Sequence, residues 1–496
     1  MIPAGMLARV APWLLPLVTA WGMFCTLRAA AFARIRSLHV VESYGFAVYE
    51  QLIHNKAFAG HFFQTVHRGY IDHWMWSGHR SVFLYVAAWI YGFAPVPLTL
   101  STIQVALVSL GCLPAFGLGR AAIGGVLGGG AGLLLYAAFP PLWAIALNDY
   151  QEIVLGVPFA LAAGWALRER SRTGFFVAAL LCACTREEWA MTLPLLGLAA
   201  PGGWRPRAWG VLTGLGAAGV FAAVAWYLGR DAVGYETPMN TQAAAVFGHL
   251  PPIQRTWADW DRFYVYFLKP INGVAALAPL TLLPGLGAFF VHLTTPNGSG
   301  IDADWRGHIH HMAPVATFLI AGAIDGLGVL AALVFPMRSL PRWRAALELH
   351  NRAPLAVKAL LVIGLAGAFW IHDPSWLRML RLTPTLSPAL HEPADAAPEW
   401  AVVATLPREA VVATDQDGAL LVSGFTRSFT YGESLPEKSR LGLAELDYLL
   451  VNKRDSTVFT EATAMGGTVV TETQRYRLVK LPKAARLDSA EAVPAG

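Results

Sequence analysis

Apolar residues recur along this chain in runs too long for the core of a water-soluble fold. They fall near 12–31, 98–119, 124–146, 152–167, 174–185, 189–201, 209–228, 263–293, 312–335 and 354–371. A helix needs about 20 mostly apolar residues to cross a bilayer, fewer when short and tilted, so the pattern predicts an all-α polytopic membrane bundle of roughly ten spans. The run 263–293 is too long for one span and holds Pro270, Pro279 and Pro284, which predicts two short or broken helices. Ser81–Phe93 is too short to cross comfortably, and predicts a helix at the membrane surface or partly re-entering. The first run is expected to be an uncleaved anchor, because Arg28 rather than a small-residue cleavage site follows it.

After Trp370 the pattern changes. His372-Asp373-Pro374 ends the last helix, and Pro374, Pro384, Pro388, Pro393 and Pro398 mark a linker. Short β-branched runs follow at Ala410–Thr414, Tyr448–Asn452, Thr468–Thr471 and Tyr476–Val479, alternating with helix-capable stretches. The expected organisation is a helix bundle over 1–373 with a long first outside loop (32–97), a Pro-rich linker (374–398), a small soluble α/β domain (399–484) and a disordered tail (485–496).

Composition sharpens this picture. Hydrophobic residues make up 55% and charged residues 14% of the chain, against about 45–50% and 25% in soluble proteins. The net charge of +5 comes from arginines gathered in short loops, which gives no case for nucleic-acid binding. Arg168, Arg170 and Arg172, then Arg205 and Arg207, then Arg338, Arg342, Arg344, Arg352 and Lys358 place those loops in the cytoplasm. Alternation then puts 32–97, the turn 149–152, the loop 229–261, His308–His311 and the C-terminal domain outside. Arg28, Arg34 and Arg36 run against this orientation. Cys25, Cys112, Cys182 and Cys184 all sit in apolar stretches, so small apolar packing is expected rather than disulfides or a metal pair.

Four constellations carry candidate chemistry. The first loop reads Tyr44-Gly45-Phe46-Ala-Val-Tyr49-Glu50-Gln51, with His54, His61, His67, Asp72, His73 and His79, and Trp74 and Trp76 between them. It reads either as an amphipathic surface helix with Tyr and Trp at the headgroups, or as an active-site loop with Glu50 as base or metal ligand. Asn148-Asp149-Tyr150-Gln151-Glu152 is either an interfacial turn or a pair of carboxylates for base catalysis or a cation. Thr185-Arg186-Glu187-Glu188-Trp189 places charge between apolar segments too short to span alone, which is either local pairing or function. Trp305-Arg306-Gly-His308-Ile-His310-His311 suits phosphate contact at least as well as zinc. No phosphate-binding Gly-x-x-x-x-Gly-Lys loop occurs, so an ATP-driven pump is not expected. Gly124, Gly125, Gly128, Gly129, Gly130 and Gly132 predict close helix packing in lipid.

The order of these motifs resembles a bacterial multi-pass membrane family described as a domain of unknown function, itself similar to the C-type glycosyltransferases. The matching pieces are Tyr44–Gln51, His79, Leu98–Arg120 with Gln104 and Pro114, and Asp149-Tyr-Gln-Glu152 before Pro158. Cys184–Glu188, His310 before Pro314, Leu406-Pro407 with Val411–Ala413, and Asp447–Leu450 continue the match. This chain departs from the family where Gly45 replaces an acid, where Glu50 replaces aspartate, where Arg80-Ser81-Val82 follows His79, and at Arg186 where lysine is common.

The resemblance implies a membrane enzyme that takes a sugar from a polyprenyl-phosphate donor on the extracytoplasmic face of the bacterial inner membrane. By it, Glu50 is base or metal ligand with Asp149 and Glu152 assisting, and Arg186, Arg306 and His310 face the donor phosphate. Tyr44, Gln51, His79 and Glu187 join the substrate contacts, and a divalent cation is a candidate cofactor. The competing expectations are a transporter or flippase of lipid-linked or polar solutes, and a non-catalytic membrane scaffold, which the loss of the acid at Gly45 keeps open.

Overall fold

Helices form wherever the apolar runs lie within the residues that the computed structural model describes: 4–38, 43–66, 79–229, 267–268, 271, 273–294, 309–334, 396–425, 427–431 and 446–482. The expected span at 354–371, nearly all of the linker and the tail lie outside them. Contacts divide the chain into two units. One holds Met1–Phe32, Met75–Val86 and Ser101–Glu392, the other Ala33–Trp74, Ala87–Leu100 and Pro393–Gly496.

The helical unit contains most of α1 (Ala4–Ser37), with α4 (Pro97–Leu110) running on into α5 (Cys112–Ala122). It also holds α6 (Gly125–Ala137), α7 (Pro140–Leu147), α8 (Val157–Arg168), α9 (Arg172–Thr185), α10 (Glu187–Leu196), α11 (Trp204–Gly229), α12 (Pro279–Thr294) and α13 (Ala313–Val334). Among the described residues, Ala11–Ser37, Pro97–Ala122, Trp204–Leu228 and Ala313–Ala331 are long and apolar enough to cross a membrane, and the pair α6 and α7 adds a fifth span bent by 52°. Phe139 at that bend is extended, as the residue before a proline must be. The shorter helices break where the sequence inserts polar residues. Arg170 takes a positive φ of 57°, and Ser171 restarts the chain by capping α9 through the Gly174 N–H at 3.1 Å.

The glycine run resolves into faces. A Cβ on Gly132 would lie 2.4 Å from the Ala115 carbonyl oxygen, and one on Gly128 2.7 Å from that of Gly119, whereas Gly130 has nothing within 4 Å. The backbones of α5 and α6 touch because these positions carry no side chain. Gly132→Ala is therefore expected to cost about 1–3 kcal/mol through overpacking against backbone. Gly130→Ala is expected to be neutral, or to stabilise by about 0.4–1 kcal/mol. Thermal unfolding in detergent separates the two, and equal midpoints would show that α5 and α6 do not pack through this face.

A largely buried charge pair crosses this unit. Asp325 of α13, 6% exposed, accepts hydrogen bonds from Arg168 of α8 and from the Thr281 hydroxyl of α12 at 2.7 Å.

The second unit is built on five strands in the order β2-β1-β3-β5-β4: β1 (Val412–Thr414), β2 (Ser428–Thr430), β3 (Tyr448–Asn452), β4 (Thr468–Glu472) and β5 (Tyr476–Lys480). Strand β1 runs parallel to β2 and β3, and β5 runs antiparallel to β3 and β4. Four sequence-predicted strand runs thus become strands, with ends moved by a residue or two. Apolar side chains bury on both faces, Leu449, Val451 and Val479 on one and Val412, Leu450 and Leu478 on the other. The remaining helices are α2 (Ser43–Ala59), α3 (Phe83–Tyr91), α14 (Ala397–Ala404), α15 (Ala419–Val422) and α16 (Ser456–Ala464). Most of α3 and the start of α4, residues 87–100, group with this unit.

Most of the first loop is part of this unit. Gln51 of α2 donates through Nε2 to Ser428 Oγ at 2.9 Å and to the Phe425 carbonyl at 3.1 Å, while its Oε1 accepts from the Thr65 and Val66 N–H groups at 2.7 and 3.1 Å. Thr65 Oγ1 donates to the Ser428 carbonyl at 2.6 Å, and Thr430 Oγ1 to that of Val66 at 2.9 Å. The segment around Thr65 thereby covers the free side of β2, an edge that would otherwise leave backbone groups open.

Candidate functional site

The junction between α9 and α10 gathers charge in the helical unit. Thr185 closes α9 by donating to the Cys182 carbonyl at 2.7 Å, and Arg186 is extended, with φ −166° and ψ 147°. Glu187 and Glu188 then open α10, where the helix dipole favours negative charge. The Arg186 side chain is 1% exposed. Its Nε lies 2.8 Å from Glu188 Oε2 and its Nη2 donates to Glu188 Oε1 at 3.0 Å, a close ion pair with one charge-assisted hydrogen bond. Glu152, 0% exposed, comes within 3.9 Å.

His79 joins the cluster in a fixed protonation pattern. A guanidinium only donates, so the contact between Arg186 Nη2 and His79 Nε2 at 2.5 Å makes Nε2 the acceptor. The imidazole proton therefore sits on Nδ1 and is donated to Glu187 Oε1 at 2.8 Å. The second Glu187 oxygen accepts the Arg80 backbone N–H, also at 2.8 Å. His79, Glu187 and Glu188 each offer a ligand atom within 4.8 Å of the others. One imidazole nitrogen and two carboxylates form a donor set that suits a divalent cation once Arg186 gives up the His79 Nε2 lone pair.

Beside this cluster, Gln104 shapes the Asn148–Gln151 turn. Its Nε2 donates to the Ala146, Asn148 and Asp149 carbonyls at 3.1, 3.0 and 3.3 Å, and its Oε1 accepts the Gln151 N–H at 2.8 Å. One side-chain amide thus satisfies four backbone groups of a turn buried in an apolar unit. Asp149 is 2% exposed within it.

Glu50 lies in the other unit, 1% exposed. Tyr91 donates to its Oε1 at 2.8 Å, and Ser423, just past α15, meets its Oε2 at 2.5 Å. Burial is the larger influence on its acidity and raises it from 4.5 to about 7, against the opposing pull of the Ser423 and Tyr91 hydroxyls. Burial also holds Tyr91 well above the ordinary phenol range, with the Glu50 charge adding to the effect, so Tyr91 keeps its proton. One turn along α2, His54 is lowered to about 4, first by burial and then by the Arg408 charge.

The sequence-predicted residues therefore fall in two places. His79, Glu152, Arg186 and Glu187 come together in the helical unit, with Asp149 in the adjoining turn. Glu50 and Gln51 serve the sheet-containing unit. Tyr44 lies in the first turn of α2 and His310 in the short turn Ile309–Met312, and Arg306 falls outside the described residues. Sequence reasoning did not single out Tyr91, Ser423 or Asp325. Asp325 carried a signal, as the lone acid of an apolar run, whereas Tyr91 and Ser423 carried none.

A family model described as "Predicted membrane protein (DUF2079)" matches residues 36–250, in agreement with the motif resemblance. No curated protein matches the chain. In three dimensions the chain is similar to the crystal structure of ArnT from Cupriavidus metallidurans in the apo state, with a TM-score of 0.51 and 13% identity over 94% of this chain and 98% of that one. That likeness bears out the expected fold class, an ArnT-like helix bundle with a small C-terminal sheet domain.

Proposed function

We propose that this multi-pass membrane protein of ArnT-like fold transfers a sugar from a polyprenyl-phosphate donor on the extracytoplasmic face of the bacterial inner membrane. One observation carries the reading: a fully buried guanidinium, Arg186, held by Glu188 and His79 with Glu152 nearby, inside a helical membrane unit. A lipid-linked donor enters through the bilayer, and its leaving phosphate needs cationic hydrogen-bond donors in dry surroundings. In the proposed step an acceptor hydroxyl attacks the anomeric carbon and the carbon–oxygen bond to phosphate breaks. The released electron pair stays on the phosphate oxygen, where Arg186 stabilises it, with Arg306 and His310 as further phosphate contacts. Glu187 fixes the His79 tautomer so that Nε2 faces the guanidinium. The acceptor proton passes to a carboxylate, the candidates being Glu50 of the sheet-containing unit and Asp149 and Glu152 of the helical unit. His79, Glu187 and Glu188 are the residues that would hold a divalent cation, which when bound would supply further positive charge to the leaving phosphate.

Purified protein is expected to turn over a polyprenyl-phosphate sugar, and Glu50→Gln to lower the rate by about 10²- to 10⁴-fold while leaving membrane insertion intact. No turnover by the wild-type protein, or near-normal turnover by the variant, would overturn the enzyme reading. The scaffold reading draws on one observation of its own. Glu50 has both oxygens engaged within its unit, and the family's other acid is replaced by Gly45.

A further inference from the structure

Helix α11 has two faces of different kinds. Gly210, Ala217, Phe221 and Ala225 are buried, and a Cβ on Gly214 would lie 2.8 Å from the Pro194 Cα, so this face packs into the helical unit. The other face presents Leu212, Leu215, Val220 and Val224, all exposed, which suits acyl chains and not water. Exposed Trp204 and Trp226 stand 22 residues apart at its two ends, about 33 Å along a helix and close to a hydrocarbon core about 30 Å thick. Tryptophan marks headgroup level at such ends. Trp204 therefore sets the headgroup plane at the start of α11.

That plane holds arginines whose charge nothing in the unit offsets. Arg205 and Arg207 lie in the first turn of α11 and Arg172 in that of α9, and neither turn contains an acid. A helix start carries the positive end of the dipole, so cations there are disfavoured unless an anion joins them. Among the described residues, no acid forms an ion pair with Arg172, Arg205 or Arg207. Glu169, the acid nearest Arg172 in sequence, accepts from the Trp165 indole at 3.4 Å instead. The guanidinium of Arg172 lies over the Trp209 ring at 5.4 Å, and Trp209 packs against Phe175 at 6.0 Å, which sets the starts of α9 and α11 side by side. Arg205 lies over the Trp204 ring at 5.7 Å.

We propose that the starts of α9 and α11 form a binding surface for an anionic phospholipid. Arg172 and Arg205 hold its phosphate with Arg207 alongside, its glycerol lies at Trp204 and Trp209, and its acyl chains run along Leu212 and Leu215. Guanidinium suits phosphate because its N–H groups make charge-assisted bonds to the phosphate oxygens. Cation, indole and apolar face follow one another along α11 in the order of a lipid's own parts. A soluble anion would use the arginines alone and leave the apolar face without a role. The inference stands apart from sugar transfer.

Native mass spectrometry of the full-length protein in detergent, titrated with phosphatidylglycerol or with phosphatidylcholine of matched chains, measures the preference. One arginine beside an anionic lipid surface contributes about fivefold in affinity. Arg172→Gln with Arg205→Gln should therefore bind phosphatidylglycerol about 30-fold more weakly and phosphatidylcholine as before. Arg172→Lys with Arg205→Lys retains the charge and should retain most of the preference, which tests the surface even where the double glutamine variant fails to fold. Arg427→Gln with Arg454→Gln removes the same charge from exposed positions of the sheet-containing unit and should change nothing. Inorganic phosphate at matched concentration should not displace the lipid. Equal binding of both lipids by the wild type defeats the proposal. So does full displacement by phosphate, the mark of a soluble-anion site, or an equal loss in the Arg427 and Arg454 variant, the mark of net charge alone.

Discussion

Arg186→Gln is expected to be among the most damaging single substitutions in the helical unit. The guanidinium is 1% exposed and is the cation for Glu188 at 2.8 Å and Glu152 at 3.9 Å, as well as the donor to His79 Nε2. Removing one partner of a buried ion pair typically costs about 3–5 kcal/mol, because the other charge is left without compensation. Glu152, 0% exposed, gains no relief from solvent, whereas Glu188 is 31% exposed and recovers part of the loss from it. The lower half of that range is therefore expected, read as a drop in the thermal midpoint of detergent-solubilised protein. Adding Glu188→Gln should restore part of the stability by removing one uncompensated charge, and under the proposed function it should restore no sugar transfer, because Arg186 is the proposed phosphate contact. A single variant with the wild-type midpoint would show that the cluster is not the charge centre of this unit.

How much of this was legible depended on the kind of signal. Alternation and β-branching are local, so the strand at Tyr448–Asn452 could be read to its ends and Ser81–Phe93 could be read as a short helix. The glycine run was legible as a packing face, because only close approach of backbones rewards so many missing side chains in lipid. Charge in apolar surroundings was legible too, and it pointed to Arg186 and its acids. Which groups meet was another matter. Gln51 and Ser428 are 377 residues apart, Glu50 and Ser423 are 373 apart, and His79 and Arg186 are 107 apart. No periodicity links such pairs, because one polar side chain satisfies another through the fold and leaves no pattern along the chain. For the same reason the first loop read as a feature of the membrane face, although its helix α2 supplies the Gln51 hydrogen bonds of the C-terminal sheet.

The buried pair Arg168 and Asp325 makes an asymmetric prediction. Asp325 lies in an apolar span, with its side chain 5% exposed, while Arg168 at the end of α8 is 23% exposed. Asp325→Ala frees a guanidinium that already reaches water and can extend further along its apolar stem. Arg168→Met instead leaves a carboxylate in the helix interior with the Thr281 hydroxyl as its remaining hydrogen bond among those described here. The penalty for breaking a buried pair, about 3–5 kcal/mol, should therefore apply in full to Arg168→Met, with Asp325→Ala costing distinctly less. Replacing both, as Arg168→Met with Asp325→Leu, removes the charges together and should recover most of the loss, since apolar side chains of similar volume often match or exceed a buried ion pair. Thermal midpoints of the wild type, Arg168→Met, Asp325→Leu and the double variant in one detergent form the cycle that measures the coupling. Two single variants with equal losses would overturn the asymmetry, and a double variant with the sum of both losses would show that the pair contributes no interaction energy across the helices α8 and α13.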